Sequence, residues 1–319
     1  MKSNLLKFFK IFIPVAIGLG LVWYFYQKFT PEQLNQMKTY VLQANYWWLG
    51  LSVLLSIISH VLRTHRWHLL LAPLDHFPKW YNSFFSVCVA YFMNLFIPKS
   101  GELSRAITLN RYEKVPMQHG LGTIISERII DLIFLMAFFI LAIGLNYANL
   151  VDYLIAAIPI KQLGWIAAGM TLLLGLFLVW LKQSKGSVAK RIQHFLKGLW
   201  DGIISVRKVK WPLIFILESL LIWALYVASF YAATFALAET TNIGWEAIII
   251  TFVVGSFTFA FTNSGIGYYP LAVAGILGLF DIAPPLGNAF GWLIWTANIS
   301  AIIFFGLLAL LSLPLVNKK

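Results

Sequence analysis

Glu102 and Arg105 stand three apart behind Pro98 and Gly101, and Glu127, Arg128 and Asp131 head a long apolar run. Positions three and four apart share one face of a helix, so Glu127 and Asp131 project together with Arg128 beside Asp131. Ionisable groups at membrane depth cost roughly 2.5–3.5 kcal/mol each on insertion scales, and they normally face a protein interior and carry function. The chemistry open to these residues is anion recognition and proton exchange. If the chain is helical from Glu102 onward, Arg105 follows a break whose helix N-terminus offers free amide groups, and a guanidinium with such donors suits phosphate oxygens. The same spacing permits a self-satisfied Glu102–Arg105 pair that only pins the segment. In the second cluster two acids and one base leave one negative charge in excess, for which Arg105 is the candidate partner. Two carboxylates on one face also raise one pKa, which would permit proton coupling through Glu127 and Asp131. A permanently paired ionic knot fits the same residues.

The elements that must hold these groups are helices in a bilayer. The 319-residue chain is 60% hydrophobic and 11% charged, with apolar runs throughout. A helix needs about 20 apolar residues to cross a hydrocarbon core about 30 Å thick. This composition predicts an all-α polytopic membrane protein forming a single integral membrane domain over 1–319, embedded from about 11 to 313, with no separate soluble domain. About six full spans are expected, at 11–29, 46–64, 120–145, 162–181, 212–238 and 287–313. The first resembles a signal peptide behind Lys2, Lys7 and Lys10, but it lacks a small-residue cleavage site and reads as a retained helix.

Two further stretches, 80–118 and 245–284, are broken near their middles, by Pro98 and Gly101 and by the run Asn263–Gly267. They read as broken or re-entrant hairpins of opposite orientation; two complete spans each would preserve the same parity. Unwound backbone is tolerated at depth only beside a cavity or other protein, so opposed broken hairpins point to a central binding site. Lysine and arginine gather at the N-terminus, in the basic connector 182–210 and at Lys318–Lys319, which places both termini in the cytoplasm. That placement also accounts for the net charge of +12 without nucleic acid.

The remaining polar residues are less specific. Arg63, His65, Arg66, Trp67 and His68 close the second span with the mixture of a membrane interface, serving as anchors or headgroup contacts. His65 and His68 lack a metal-binding pattern. Glu218 is a lone acid inside a span, a relay or a snorkelling side chain, and Cys88 reads as a small packing residue. No nucleophile elbow, P-loop or dinucleotide fingerprint is present, so no enzyme activity, cofactor or metal is expected.

Taken in order, Arg63-x-x-Arg66-Trp67, Pro98-x-x-Gly101-Glu102-x-x-Arg105, Glu127-Arg128-x-x-Asp131 and Gly265-Ile266-Gly267 resemble the lysylphosphatidylglycerol synthase transmembrane-region family of flippase-like membrane proteins, across roughly residues 10–313. The resemblance implies an inner-membrane protein that handles a lipid headgroup across the bilayer. Arg105 and Arg128 would contact the phosphate of an anionic phospholipid or polyprenyl phosphate. Glu102, Glu127 and Asp131 would orient them and exchange protons, and Gly101, Gly265 and Gly267 would allow close backbone approach. Many members carry a glycine where Ser264 stands and a glutamate where Pro270 stands, so any role of that glutamate does not transfer. The synthases also append an aminoacyl-transferase domain, and the lysyl-transfer reaction is not carried over to this chain. Two alternatives remain: a scaffold subunit for a lipid or glycan synthase or transferase, and a membrane-embedded lipid transferase using Glu127 or Asp131 as general base.

Overall fold

The computed structural model describes Gln27 and residues 29–145, 187–262 and 264–318. Ten α-helices occupy these residues: α1 (Pro31–Gln43), α2 (Tyr46–Leu71), α3 (Trp80–Phe96), α4 (Gly101–Glu113), α5 (Met117–Leu145), α6 (Ser187–Ile204), α7 (Pro212–Thr234), α8 (Trp245–Phe261), α9 (Tyr268–Gly278) and α10 (Pro284–Val316). Their starts follow local chemistry. Thr30 and Gln33 form a capping box at α1, the Asn45 side chain accepts the Trp47 amide at α2, and prolines open α1, α7 and α10, where a missing N–H is harmless.

Four helices are long and apolar enough to cross a bilayer: α2 with its 3₁₀ extension to Leu74, α5, α7 and α10. They match four of the expected spans. The expected spans at 11–29 and 162–181 lie outside the described residues, apart from the end of the first. One boundary needs correction. The second span does not close at residue 64 but continues to Leu71, because Leu69, Leu70 and Leu71 follow the charged turn and bury their side chains, two of them completely.

Both irregular stretches are broken hairpins. α3 has 17 residues, α4 13, α8 17 and α9 11, each short of the about 20 a full crossing requires. At the first break Lys99 takes φ +59°, and the Gly101 amide donates to Asn94 Oδ1 at 2.7 Å. A Cβ on Gly101 would lie 2.4 Å from the Ala90 carbonyl oxygen, so glycine is what lets α4 fold back onto α3. At the second, Ser264, Gly265 and Gly267 all have positive φ, and the Gly265 amide donates to Thr262 Oγ1 at 3.1 Å. The two breaks meet. Lys99 Nζ donates to the Ala260 carbonyl, and Ser264 Oγ donates to the Asn94 carbonyl at 3.2 Å.

Small residues bring the spans together. Ser52 and Ser229 hydrogen-bond at 2.9 Å between α2 and α7, the close side-chain packing that membrane helices use in place of a hydrophobic drive. The described part of the basic connector is α6 with the short 3₁₀ turn Ser205–Lys208 and residues 209–210 after it, and α6 crosses α5 at Gly122 and Gly202 while Lys190, Arg191 and Lys197 stay exposed. A Cβ on Gly122 would sit 2.3 Å from the Leu199 carbonyl oxygen, whereas one on Gly144 meets nothing within 4 Å. Gly122→Val should therefore lower stability by about 1–3 kcal/mol through overpacking, and Gly144→Val should not. Detergent unfolding of the two variants checks this, and equal losses would mean that the crossing is not close-packed.

Candidate functional site

The charged residues converge on one buried cluster between α2, α4, α5 and α7. Asp131 is its centre: Arg63 Nη1 donates to Oδ2 at 2.7 Å and Arg66 Nη2 to Oδ1 at 2.8 Å. Arg63 also donates to the Tyr226 hydroxyl at 3.0 Å, and Arg66 to Ser219 Oγ at 3.0 Å. Glu127, wholly buried one turn earlier, accepts from Arg105 at 2.6 Å and lies 3.6 Å from Arg66. Arg105 lies 3.7 Å from the centre of the Trp67 ring, and Trp67 Nε1 donates to Thr123 Oγ1 at 2.9 Å. The indole is thus held where it can stack on the guanidinium.

Glu127 and Asp131 do share a buried face of α5, and Arg105 does supply an outside charge to it. Three other expectations change. Glu102 and Arg105 do not pair: Arg105 turns inward to Glu127 and Trp67, while Glu102 faces a cavity and makes no ion pair among the described residues. A buried carboxylate with a stacked indole outweighs an i, i+3 pair worth about 0.2–0.5 kcal/mol. Arg63 and Arg66 are not interfacial anchors; they are 2% and 0% exposed and belong to the cluster. Their entry reverses the expected negative excess, since four arginines now face Glu127 and Asp131. The leucines after Arg66 are the signal that the helix, and its interior face, continue past the charges.

Glu218 is not alone, because His65 Nδ1 contacts its carboxylate. His68 turns instead to Ser83 Oγ at 2.8 Å, so the two histidines separate onto different neighbours. The close approaches of Gly101 and Gly265 are to the protein itself, to α3 and to Tyr269. Gly267 supplies the positive φ that starts α9. Ser264, where a glycine was noted for many relatives, still adopts φ +53°; its carbonyl accepts from Trp295 Nε1 at 2.9 Å. Pro270 packs on Gly291 of α10, with a Cβ on that glycine reaching 2.7 Å from Pro270 Cα.

Beside the cluster lies a cavity of about 430 Å³, bounded by α2, α3, α4, α5, α7, α8, α9 and α10 and by both breaks. Arg63 and Asp131 reach its wall, with His60, Lys99 and Glu102, and the rest is largely aromatic and aliphatic, including Phe84, Leu132, Phe252, Phe259 and Phe305. Arg128 is the fourth arginine. It comes only to 3.7 Å of an Asp131 oxygen already claimed by Arg63, and although protein surrounds it, 42% of its side chain is accessible because it opens on this cavity. The arrangement offers an anion one accessible guanidinium backed by a buried charge cluster, with apolar walls alongside.

The fold and this cluster define a polytopic helical membrane protein built around a buried arginine–carboxylate network at the meeting point of two broken hairpins. The sequence matches the family described as Lysylphosphatidylglycerol synthase TM region over residues 11–306, and the chain belongs to that family. It is also similar to a UPF0104 membrane protein of Methanocaldococcus jannaschii, 26% identical over 150 residues, which is 46% of this chain and 43% of that protein. The chain thus matches less than half the length of that relative. No solved structure matches it.

Proposed function

We propose that this protein binds the anionic headgroup of a membrane lipid in the cavity beside Asp131, and moves or presents that lipid between leaflets. The observation that carries this reading is Arg128, the arginine of the cluster that has no hydrogen-bonded carboxylate and is accessible from the cavity. The volume falls in the usual range for ligand pockets, roughly 300–1,000 Å³. The apolar wall supports a lipid over a free polar solute. In this reading the protein is not an enzyme: Glu127 and Asp131 are held by arginines, which leaves neither available as a general base. It lies in the cell inner membrane with both termini cytoplasmic, and the exposed lysines and arginine of α6 face the anionic cytoplasmic leaflet.

The experiment is native mass spectrometry of the purified protein with its retained lipid. Arg128→Gln should reduce lipid occupancy about tenfold, the loss of a charge-assisted contact, with little change in thermal unfolding. Undiminished lipid retention by that variant would overturn the assignment. Because Glu127 and Asp131 each bond to arginines, an imposed pH gradient should leave lipid movement in sealed vesicles unchanged. Gradient-driven movement lost in Asp131→Asn would instead establish proton coupling. The scaffold reading draws on the same exposed basic face of α6, and stoichiometric copurification of a synthase or transferase would favour it.

A further inference from the structure

The charge around the cavity narrows the class of headgroup, on the basis of the function proposed above. Among the described residues the carboxylates ion-paired with Arg63, Arg66, Arg105 and Arg128 are Glu127 and Asp131. Lys99 and Glu102 line the cavity and offset one another, and Glu218 lines neither this cavity nor the smaller one beside it. Among the described residues the cluster therefore retains two formal positive charges. Its hydrogen bonding shows the same surplus. The two carboxylates take their close bonds from Arg63, Arg66 and Arg105, leaving Arg128 without one. Buried Nε of Arg63, Arg66 and Arg105 and Nη2 of Arg105 have no acceptor, four donors against the two unpartnered carboxylate oxygens Glu102 Oε2 and Glu127 Oε1. Arg63, Glu102, Arg105 and Arg128 also share a second cavity of about 40 Å³, room for a few waters. Uncompensated charge in a desolvated site is strongly unfavourable, and a bound counter-ion is the ordinary remedy.

We infer that the cavity takes a phosphate monoester, a headgroup of two negative charges, in preference to a phosphate diester of one. A terminal phosphate carries three acceptor oxygens and close to two charges above neutral pH. It matches the surplus of the site, where a diester leaves one positive charge unbalanced. Phosphatidate and a polyprenyl phosphate both present this group on an apolar chain, and inorganic phosphate presents it without one.

The test compares these probes on the full-length protein in detergent at pH 8, with phosphatidate and phosphatidylglycerol carrying identical acyl chains. Phosphatidate and polyprenyl phosphate should bind about tenfold more tightly than phosphatidylglycerol, the size expected for one extra partly screened charge. Lys99→Gln removes one positive charge from an exposed turn without touching the arginine cluster, and it should shrink that preference severalfold in protein shown by thermal unfolding to be folded, since the variant also gives up the bond to the Ala260 carbonyl. Equal binding of phosphatidate and phosphatidylglycerol, both lost in Arg128→Gln, would overturn the monoester inference and leave the lipid-binding function standing. No binding of any lipid would overturn both. Displacement of phosphatidate by equimolar inorganic phosphate would support the charge class and identify the free anion as its source.

Discussion

Asp131→Asn should destabilise the protein by about 3–5 kcal/mol, because removing one partner of a buried ionic group leaves the others charged and unpaired. Arg63 and Arg66 donate to the two Asp131 oxygens at 2.7 and 2.8 Å, and both side chains are almost wholly buried. An asparagine has nearly the same shape and keeps one acceptor, so the loss reports charge rather than packing. Equilibrium unfolding in detergent provides the measurement. The control is Glu102→Gln, which removes a cavity-facing acid that pairs with no cation among the described residues and should shift stability by no more than about 0.5 kcal/mol. Similar effects from the two variants would mean that the cluster is solvated and that Asp131 does not organise it.

Arg105→Gln should have an effect of the same order, again about 3–5 kcal/mol, by leaving Glu127 with only the longer 3.6 Å approach of Arg66 in a site with no exposure. Arg105→Lys should recover little of it. An ammonium supplies the charge but not the planar face that stacks on Trp67 at 3.7 Å. Adding Glu127→Gln to Arg105→Gln should restore part of the loss, since no unpaired carboxylate then remains beside the indole. The two arginines that sequence spacing treated alike are thus separated by their readouts: Arg105 variants should unfold early, and Arg128→Gln should fold normally and lose lipid. Loss of lipid from folded Arg105→Gln protein would return Arg105 to the headgroup site.

Most of this site was legible only in part. The membrane class, four described spans and both broken hairpins follow from apolar run length and from Pro98, Gly101 and the Ser264–Gly267 turn, because bilayer thickness and backbone sterics act locally along the chain. The common face of Glu127 and Asp131 follows from helical period alone. The family match over residues 11–306 rests on these same local motifs.

What the sequence could not decide is which charge meets which. Arg63 and Arg66 sit at the polar end of a hydropathy window, where interface and interior look the same, and only the packing of α2 against α7 and α5 turns them inward. The i, i+3 spacing of Glu102 and Arg105 suggested a local pair, but α4 rests on α3 and α5 so that one side chain enters the core and the other the cavity. The sign of the site depends on those two outcomes. Short-range spacing determines which residues share a helix face, whereas the partner of a buried charge is set by desolvation among helices distant in sequence, and that is decided only when the chain is folded.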